Sequence, residues 1–283
     1  MPTRIAFINP VGTGRYDAQM ERTLAPVSQP DTIVDVLHFE GVPEDIAYYL
    51  PKHIIELGLL ELAPVLEAAG YDAIIVGCCF DPGVRVAREV VDIPVIGPME
   101  AALNQASYFG HRFSIVTDDR KTVAWIDDLV RLYGSTLCRG IRAIDWHVPD
   151  MLADPVAVAR AATATFEQAM AEDGSDVVLV GCTTIAACIE EALSDDSTYL
   201  DTPFVNPSTA ALQAAEALGR LSRQGRYRLS RRGFYRRHDA TNPVEAAEVR
   251  ERYHLADAGG AALALVGTVG VFERRARPAP VGA

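Results

Sequence analysis

Apolar positions along the chain fall into two alternating patterns: short unbroken runs, and longer stretches in which apolar residues return at helical spacing. Arg4-Ile-Ala-Phe-Ile8 reads as a first strand, followed by the loop Asn9-Pro-Val-Gly-Thr-Gly14 and a helix to about residue 25. Thr32 to Phe39 is a second strand. From Pro43 a helical stretch carries Ile46, Leu50, Ile54, Leu57, Leu62, Leu66 and Ala69; breaks are expected near Gly58 and Pro64, and Gly70 closes it. Asp72 to Gly77 is a strand delivering Cys78, and Asp81-Pro82-Gly83 is expected to cap and open a helix to about Val90, because proline is tolerated in a first helical turn. His111 to Thr117 then reads as a buried strand, and Asp118 or Asp119 as the cap of a helix carrying Val123, Ile126, Leu129 and Val130. A strand near 139–145, a helix over about 154–172 and a strand over 176–181 lead to Cys182, after which Thr183 or Thr184 caps a helix to Leu193. Strands alternating with helices predict an α/β fold with parallel sheets covered on both faces, where ligands bind beyond the carboxyl ends of the strands.

The two halves match in detail. Asp72-Ala-Ile-Ile-Val-Gly-Cys78 parallels Asp176-Val-Val-Leu-Val-Gly-Cys182, and Asp92-Ile-Pro-Val-Ile-Gly-Pro98 parallels Asp201-Thr-Pro-Phe-Val-Asn-Pro207, each of the latter pair followed by Ala-Ala-Leu. The expected units are 1–108 with Cys78, 109–219 with Cys182, and a C-terminal extension over 220–283. The helix near 208–219 is expected to pack back on the first unit. The extension holds Arg220, Arg223, Arg226, Arg228, Arg231, Arg232, Arg236 and Arg237 interleaved with Tyr227, Phe234 and Tyr235, and reads as a solvated or subunit-contacting segment. Periodicity leaves Gly259 to Val271 open between helix and hairpin strand, and Arg274 to Ala283 reads as a frayed end.

Composition narrows the chemistry. A formal net charge of −12 over 283 residues argues against nucleic-acid or acidic-membrane partners, which need clustered Lys and Arg. No apolar run approaches membrane-spanning length and no signal-peptide profile precedes the first strand, so a cytoplasmic protein acting on a small molecule is expected. The odd count of 5 cysteines argues for reduced thiols. His38, His53, His111, His147, His238 and His254 are scattered without metal-ligand spacing. Lys52 and Lys121, the only lysines, lie in charged contexts unsuited to a pyridoxal Schiff base, and Gly12-Thr-Gly14 lacks the third glycine of a dinucleotide fingerprint. No cofactor is expected.

Two thiols at equivalent strand ends suit a particular task. Inverting a carbon acid without a cofactor needs a base on one face and an acid on the other, and a thiol/thiolate pair serves in both directions. A helix start beyond each cysteine lowers the cost of the thiolate and offers N–H groups to a developing enolate. Cys138 and Cys188 have no such partner and read as core; Cys79 competes with Cys78, but the ungapped repeat sets Cys79 opposite Thr183 and Cys78 opposite Cys182.

These residues resemble the Asp/Glu/hydantoin racemase superfamily, and within it the hydantoin and allantoin racemase branch. The resemblance rests on Gly77-Cys78-Cys79-Phe80-Asp81-Pro82-Gly83 and Gly181-Cys182-Thr183-Thr184, with Ile8-Asn9-Pro10, Gly41-Val-Pro-Glu-Asp-Ile46, Ile93 to Ala101 and Phe113 to Thr117 in support, and spans about residues 4–218. It implies two pseudo-symmetric Rossmann-like (flavodoxin-like) domains around a cleft, a cofactor-independent homo-oligomeric enzyme, and Cys78 and Cys182 as acid and base. It further implies Asn9, Asp81, Thr117 and Thr183 around the substrate, with the backbone at Cys79 and Thr184 donating to its polar end. The substrate would be a hydantoin, allantoin or amino acid. The same scaffold also supports malonate decarboxylation and maleate cis-trans isomerisation, and a non-catalytic two-lobed binder is the reading that leaves the paired thiols unexplained. Two departures point to an altered pocket: Val11 stands where the branch often has Asn, and Cys79 where it commonly has an aromatic residue.

Overall fold

The strands form two four-stranded parallel sheets. In the computed structural model, which describes residues 2–193 and 202–252, β1 (Thr3–Asn9), β2 (Thr32–His38), β3 (Ala73–Val76) and β4 (Val95–Ile96) build the first, in the order β2-β1-β3-β4. The second repeats the plan with β5 (Phe113–Thr117), β6 (Cys138–Ala143), β7 (Val177–Val180) and β8 (Phe204–Val205), in the order β6-β5-β7-β8. Every residue of β3 and β7 is buried, as the continuous apolar runs require of strands covered on both faces.

Helices α1 (Asp17–Leu24), α2 (Tyr49–Ala68), α3 (Val84–Val90) and α4 (Pro98–Gln105) accompany the first sheet, and α5 (Arg120–Leu132), α6 (Val148–Met151), α7 (Pro155–Asp173) and α8 (Thr183–Leu193) the second. One apolar cluster joins Ile8, Ile74 and Val76 to Ile55, Leu59 and Leu62 of α2, and another joins Val178 and Val180 to Val158 and Phe166 of α7. A third lies between the sheets and takes Phe7 and Ile75 from one and Ile115 and Leu179 from the other, with Trp125 and Leu212. The two halves therefore share a core. The helix α9 (Pro207–Arg223) follows β8 of the second sheet but packs on β1, β3, β4 and α4 of the first.

Several boundaries differ from the sequence expectations for local physical reasons. The stretch from Pro43 is helical only from Tyr49, and it is unbroken: Gly58 lies within the helix, where a Cβ would stand 3.5 Å from the Phe39 ring, and Pro64 is carried inside it too. Asp81 does not cap α3; the N-cap residue is Gly83, and no side chain bonds there. Gly83 (φ 67) turns the chain into α3 through the left-handed region, and Asp81 (φ 45) turns its carboxylate to another helix. Of the two candidates before α5, Asp119 is the cap, accepting from the Lys121 and Thr122 N–H groups at 2.7 and 3.1 Å. Thr183 and Thr184 open α8 from within it, which leaves Cys182 immediately ahead of the helix.

The described part of the extension, including α10 (His238–Thr241) and α11 (Pro243–Arg252), docks on its own chain. Arg231 donates to the carbonyls of Arg88, Glu89 and Val91 at the end of α3 and to Asp92 Oδ1, while Arg85 stacks over Phe234 at 4.4 Å. Gly259 to Val271 and Arg274 to Ala283 lie outside the described residues.

Candidate active site

The two Gly-Cys strand ends are built alike. The Gly77 N–H donates to Ile8 O at 2.7 Å, and the Gly181 N–H donates to Val116 O at the same 2.7 Å, so each central strand holds the turn beyond its neighbour. Close approach makes glycine necessary at both: a Cβ at Gly77 would overlap the Phe7 ring, and one at Gly181 would stand 2.9 Å from Ile115 Cγ2. Beyond these turns a cavity of about 80 Å³ lies at the carboxyl ends of the strands. Asn9 from β1, Cys78 and Cys79 beyond β3, Asp118 and Asp119 beyond β5, and Cys182, Thr183 and Thr184 beyond β7 line it. Tyr16 and Met20, the segment Glu44 to Ala47, and His147 to Pro149 complete the wall.

The Cys78 thiol receives the Phe80 N–H at 3.5 Å. Burial pushes it up to about 12, with the Phe80 N–H opposing and the charges of Asp81 and Asp118 adding to the rise. Burial likewise holds the Cys182 thiol well above its ordinary range, and the Asp118 charge adds to this, whereas the Ile185 and Thr184 N–H groups at the start of α8 favour its thiolate. Charge on Cys78 raises Cys182 further, so the pair favours at most one thiolate at a time.

Two bonds cross the cleft in near-symmetric fashion. Thr183 Oγ1 donates to Gly77 O at 3.2 Å, and Cys79 Sγ donates to Val180 O at 3.9 Å, from the positions that the repeat sets opposite each other. Cys79 is 2% exposed and sits in the shared core. Asn9 Nδ2 donates to Asp17 Oδ1 at 2.5 Å, and Asp17 Oδ2 lies 2.7 Å from His38 Nδ1. A carboxylate only accepts, so this pairing sets the Asn9 amide with Nδ2 toward Asp17.

Thus Asn9, Cys78, Cys79, Cys182, Thr183 and Thr184 come together, and Asp81 and Thr117 lie outside the cavity lining. Asp81 accepts from Met99 N at 3.1 Å, Glu100 N at 2.9 Å and Tyr133 Oη at 2.8 Å, serving the N-terminus of α4. Burial raises its carboxyl to about 7 against those three donors. Thr117 is fully buried, with Oγ1 directed at Asp118 Oδ1 (2.8 Å) and Gly181 O (3.3 Å). Tyr48 is exposed beneath Lys121 Nζ, 3.9 Å from its ring centre, and Glu100 pairs with Arg88. From the sequence Asp118 reads only as a candidate helix cap; its place directly after the end of β5 is the signal that marks it as a cavity residue. Glu44 and Asp45 fall in the helical stretch expected from Pro43, but the helix begins only at Tyr49 and they lie in the loop before it.

Among the described residues all five cysteines are free, no group of three or more His, Cys, Asp or Glu is arranged to hold a metal ion, and no helix is long and apolar enough to cross a membrane.

Residues 5–215 match the model of the Asp/Glu/Hydantoin racemase family. A hydantoin racemase of Rhizobium meliloti is 33% identical over 215 residues, 76% of this chain and 88% of that protein. Allantoin racemase from Klebsiella pneumoniae superposes with a TM-score of 0.73 at 28% identity, covering 83% of this chain and 93% of that one. Allantoin racemase from Pseudomonas fluorescens gives 0.71 at 26% identity, covering 83% and 97%.

Proposed function

The chain belongs to the Asp/Glu/hydantoin racemase family, and from that premise we propose that it is a cofactor-independent racemase or epimerase in which Cys78 and Cys182 act as acid and base on a small carbonyl-activated stereocentre. The observation that carries the reading is the pair of thiols at equivalent strand ends lining one cavity. The thiolate of one cysteine takes the proton from the carbon next to the carbonyl, the C–H electron pair moves into an enolate, and the thiol of the other returns a proton to the opposite face. Inversion leaves the two protonation states exchanged, so the enzyme is ready for the opposite enantiomer. The Thr184 and Ile185 N–H groups at the start of α8 support the thiolate form of Cys182.

A hydantoin or allantoin suits this wall better than an amino acid or a malonate. Glu44, Asp45, Asp118 and Asp119 line the cavity without any Lys or Arg side chain, so a free substrate carboxylate would enter against like charge. The same feature weighs against malonate decarboxylation and maleate isomerisation. A homo-oligomer is part of the proposal: Tyr48, Tyr49, Leu50, Ile54 and Leu57 leave an apolar strip exposed at and beside the start of α2, and light scattering of the purified protein tests it.

The chemical test is to incubate enantiopure 5-substituted hydantoins and allantoin in deuterium oxide with wild type, Cys78→Ala and Cys182→Ala. Wild type should racemise with deuterium incorporation, and each variant should lose racemisation by about 10²–10⁴-fold. A variant retaining one thiol should still exchange the proton of a single enantiomer without inverting it. Equal racemisation by all three proteins would sink the two-thiol mechanism, and carbon dioxide release from malonates without racemisation would favour the decarboxylase.

A further inference from the structure

Four carboxylates line the cavity, and three have their own engagements. Glu44 takes Arg15 at 2.5 Å, Asp45 Oδ1 takes the Ala47 N–H at 2.8 Å, and Asp119 caps α5. Asp118 differs. It is 5% exposed, and the two side-chain donors it has, Thr122 Oγ1 at 2.6 Å and Thr117 Oγ1 at 2.8 Å, go to the same oxygen, Oδ1. Its carbonyl accepts the Trp146 N–H at 3.1 Å, so both backbone and side chain are held in place. The Asp119 N–H also favours its charge. Among the described residues no side-chain donor is directed at Oδ2.

We propose that Asp118 is a specificity-determining residue for this racemase, with Oδ2 accepting an N–H of a cyclic ureide and so orienting the ring between Cys78 and Cys182. The inference rests on the racemase reading above and deepens it. A buried carboxylate in a pocket without a cation is short of donors, and a ring N–H supplies one at the place where the residue is already fixed. Recognition of this kind separates ureides from substrates that offer only acceptors or an anion, because such a group would leave Asp118 unmatched. It also bears on the thiols, since the Asp118 charge disfavours both thiolates. Sharing that charge with a substrate N–H makes proton abstraction easier once the ring is bound than before.

The test uses Asp118→Asn and Asp118→Leu, of similar volume, assayed on a 5-substituted hydantoin and on its N1-methyl and N3-methyl analogues. Expected is a rise in KM of about tenfold or more for Asp118→Leu, a smaller rise for Asp118→Asn, and disappearance of the effect for the analogue methylated at the bonded nitrogen. Unchanged KM in both variants, a loss confined to kcat, or an equal loss on all three substrates would overturn it. Thermal melts check folding, and if the leucine variant does not fold the asparagine variant carries the comparison. A wild type that racemises no ureide defeats the functional reading as well, whereas an active wild type with indifferent Asp118 variants defeats this inference alone.

Discussion

At the two sulfurs proposed to react, burial and backbone N–H groups pull in opposite directions, and burial wins. Cys78 at about 12 is a thiol at neutral pH, and Cys182 lies well above its ordinary value for the same reason. A reaction that needs one thiolate should therefore gain rate as the pH rises, because deprotonation of the free enzyme populates the reactive form. We expect kcat/KM for a hydantoin to climb from neutrality into the alkaline range below about 12. A profile that is flat from pH 6 to 9 in a pH-rate series would contradict this. The cysteines were legible in the sequence because each ends a strand-Gly-Cys run that depends only on neighbours along the chain. Asp81 was not, because its carboxylate serves α4, whose N–H groups at Met99 and Glu100 begin 18 residues farther on.

Elements were read correctly where apolar period and length agreed, as in β3, β7 and α7, and misread where a breaker residue was tolerated by packing. Pro64 stays inside α2 because that helix buries Ile55, Leu59, Leu62 and Leu66 against the first sheet. The extension gave no period at all, and its placement rests on a few side-chain contacts: Arg231 on the α3 end, Arg237 beside Asp92, and Phe234 under Arg85. Arg231 satisfies carbonyls at the end of α3 where a helix leaves acceptors unpaired and a cation is favoured. Arg231→Ala should lower the unfolding free energy by about 1–3 kcal/mol. It should also speed tryptic cleavage within 224–252, as followed by urea denaturation and timed digestion. Cleavage at the wild-type rate would mean that this contact does not hold the segment.

For the whole molecule, the shared core and the return of α9 make the halves interdependent. One apolar cluster takes Phe7 and Ile75 from the first sheet and Ile115 and Leu179 from the second together with helix residues, and α9 covers β1 and β3 from late in the chain. A fragment of residues 1–108 would leave this apolar face in water, so it should not fold alone, as judged by circular dichroism and amide dispersion in its NMR spectrum. A well-dispersed, cooperatively melting fragment would refute the dependence. The amino-acid sequence by itself determined the alternation of strands and helices, the internal repeat and the two Gly-Cys turns, because these follow from local spacing and from the steric need for glycine beside a neighbouring strand. Only the tertiary structure decided that Cys79 and Thr183 stitch the cleft across 101 and 106 residues of chain, that Asp118 faces the cavity and that Asp81 turns away. Such contacts depend on how the two sheets approach each other, and that approach is set by the shared core rather than by any residue's neighbours in sequence.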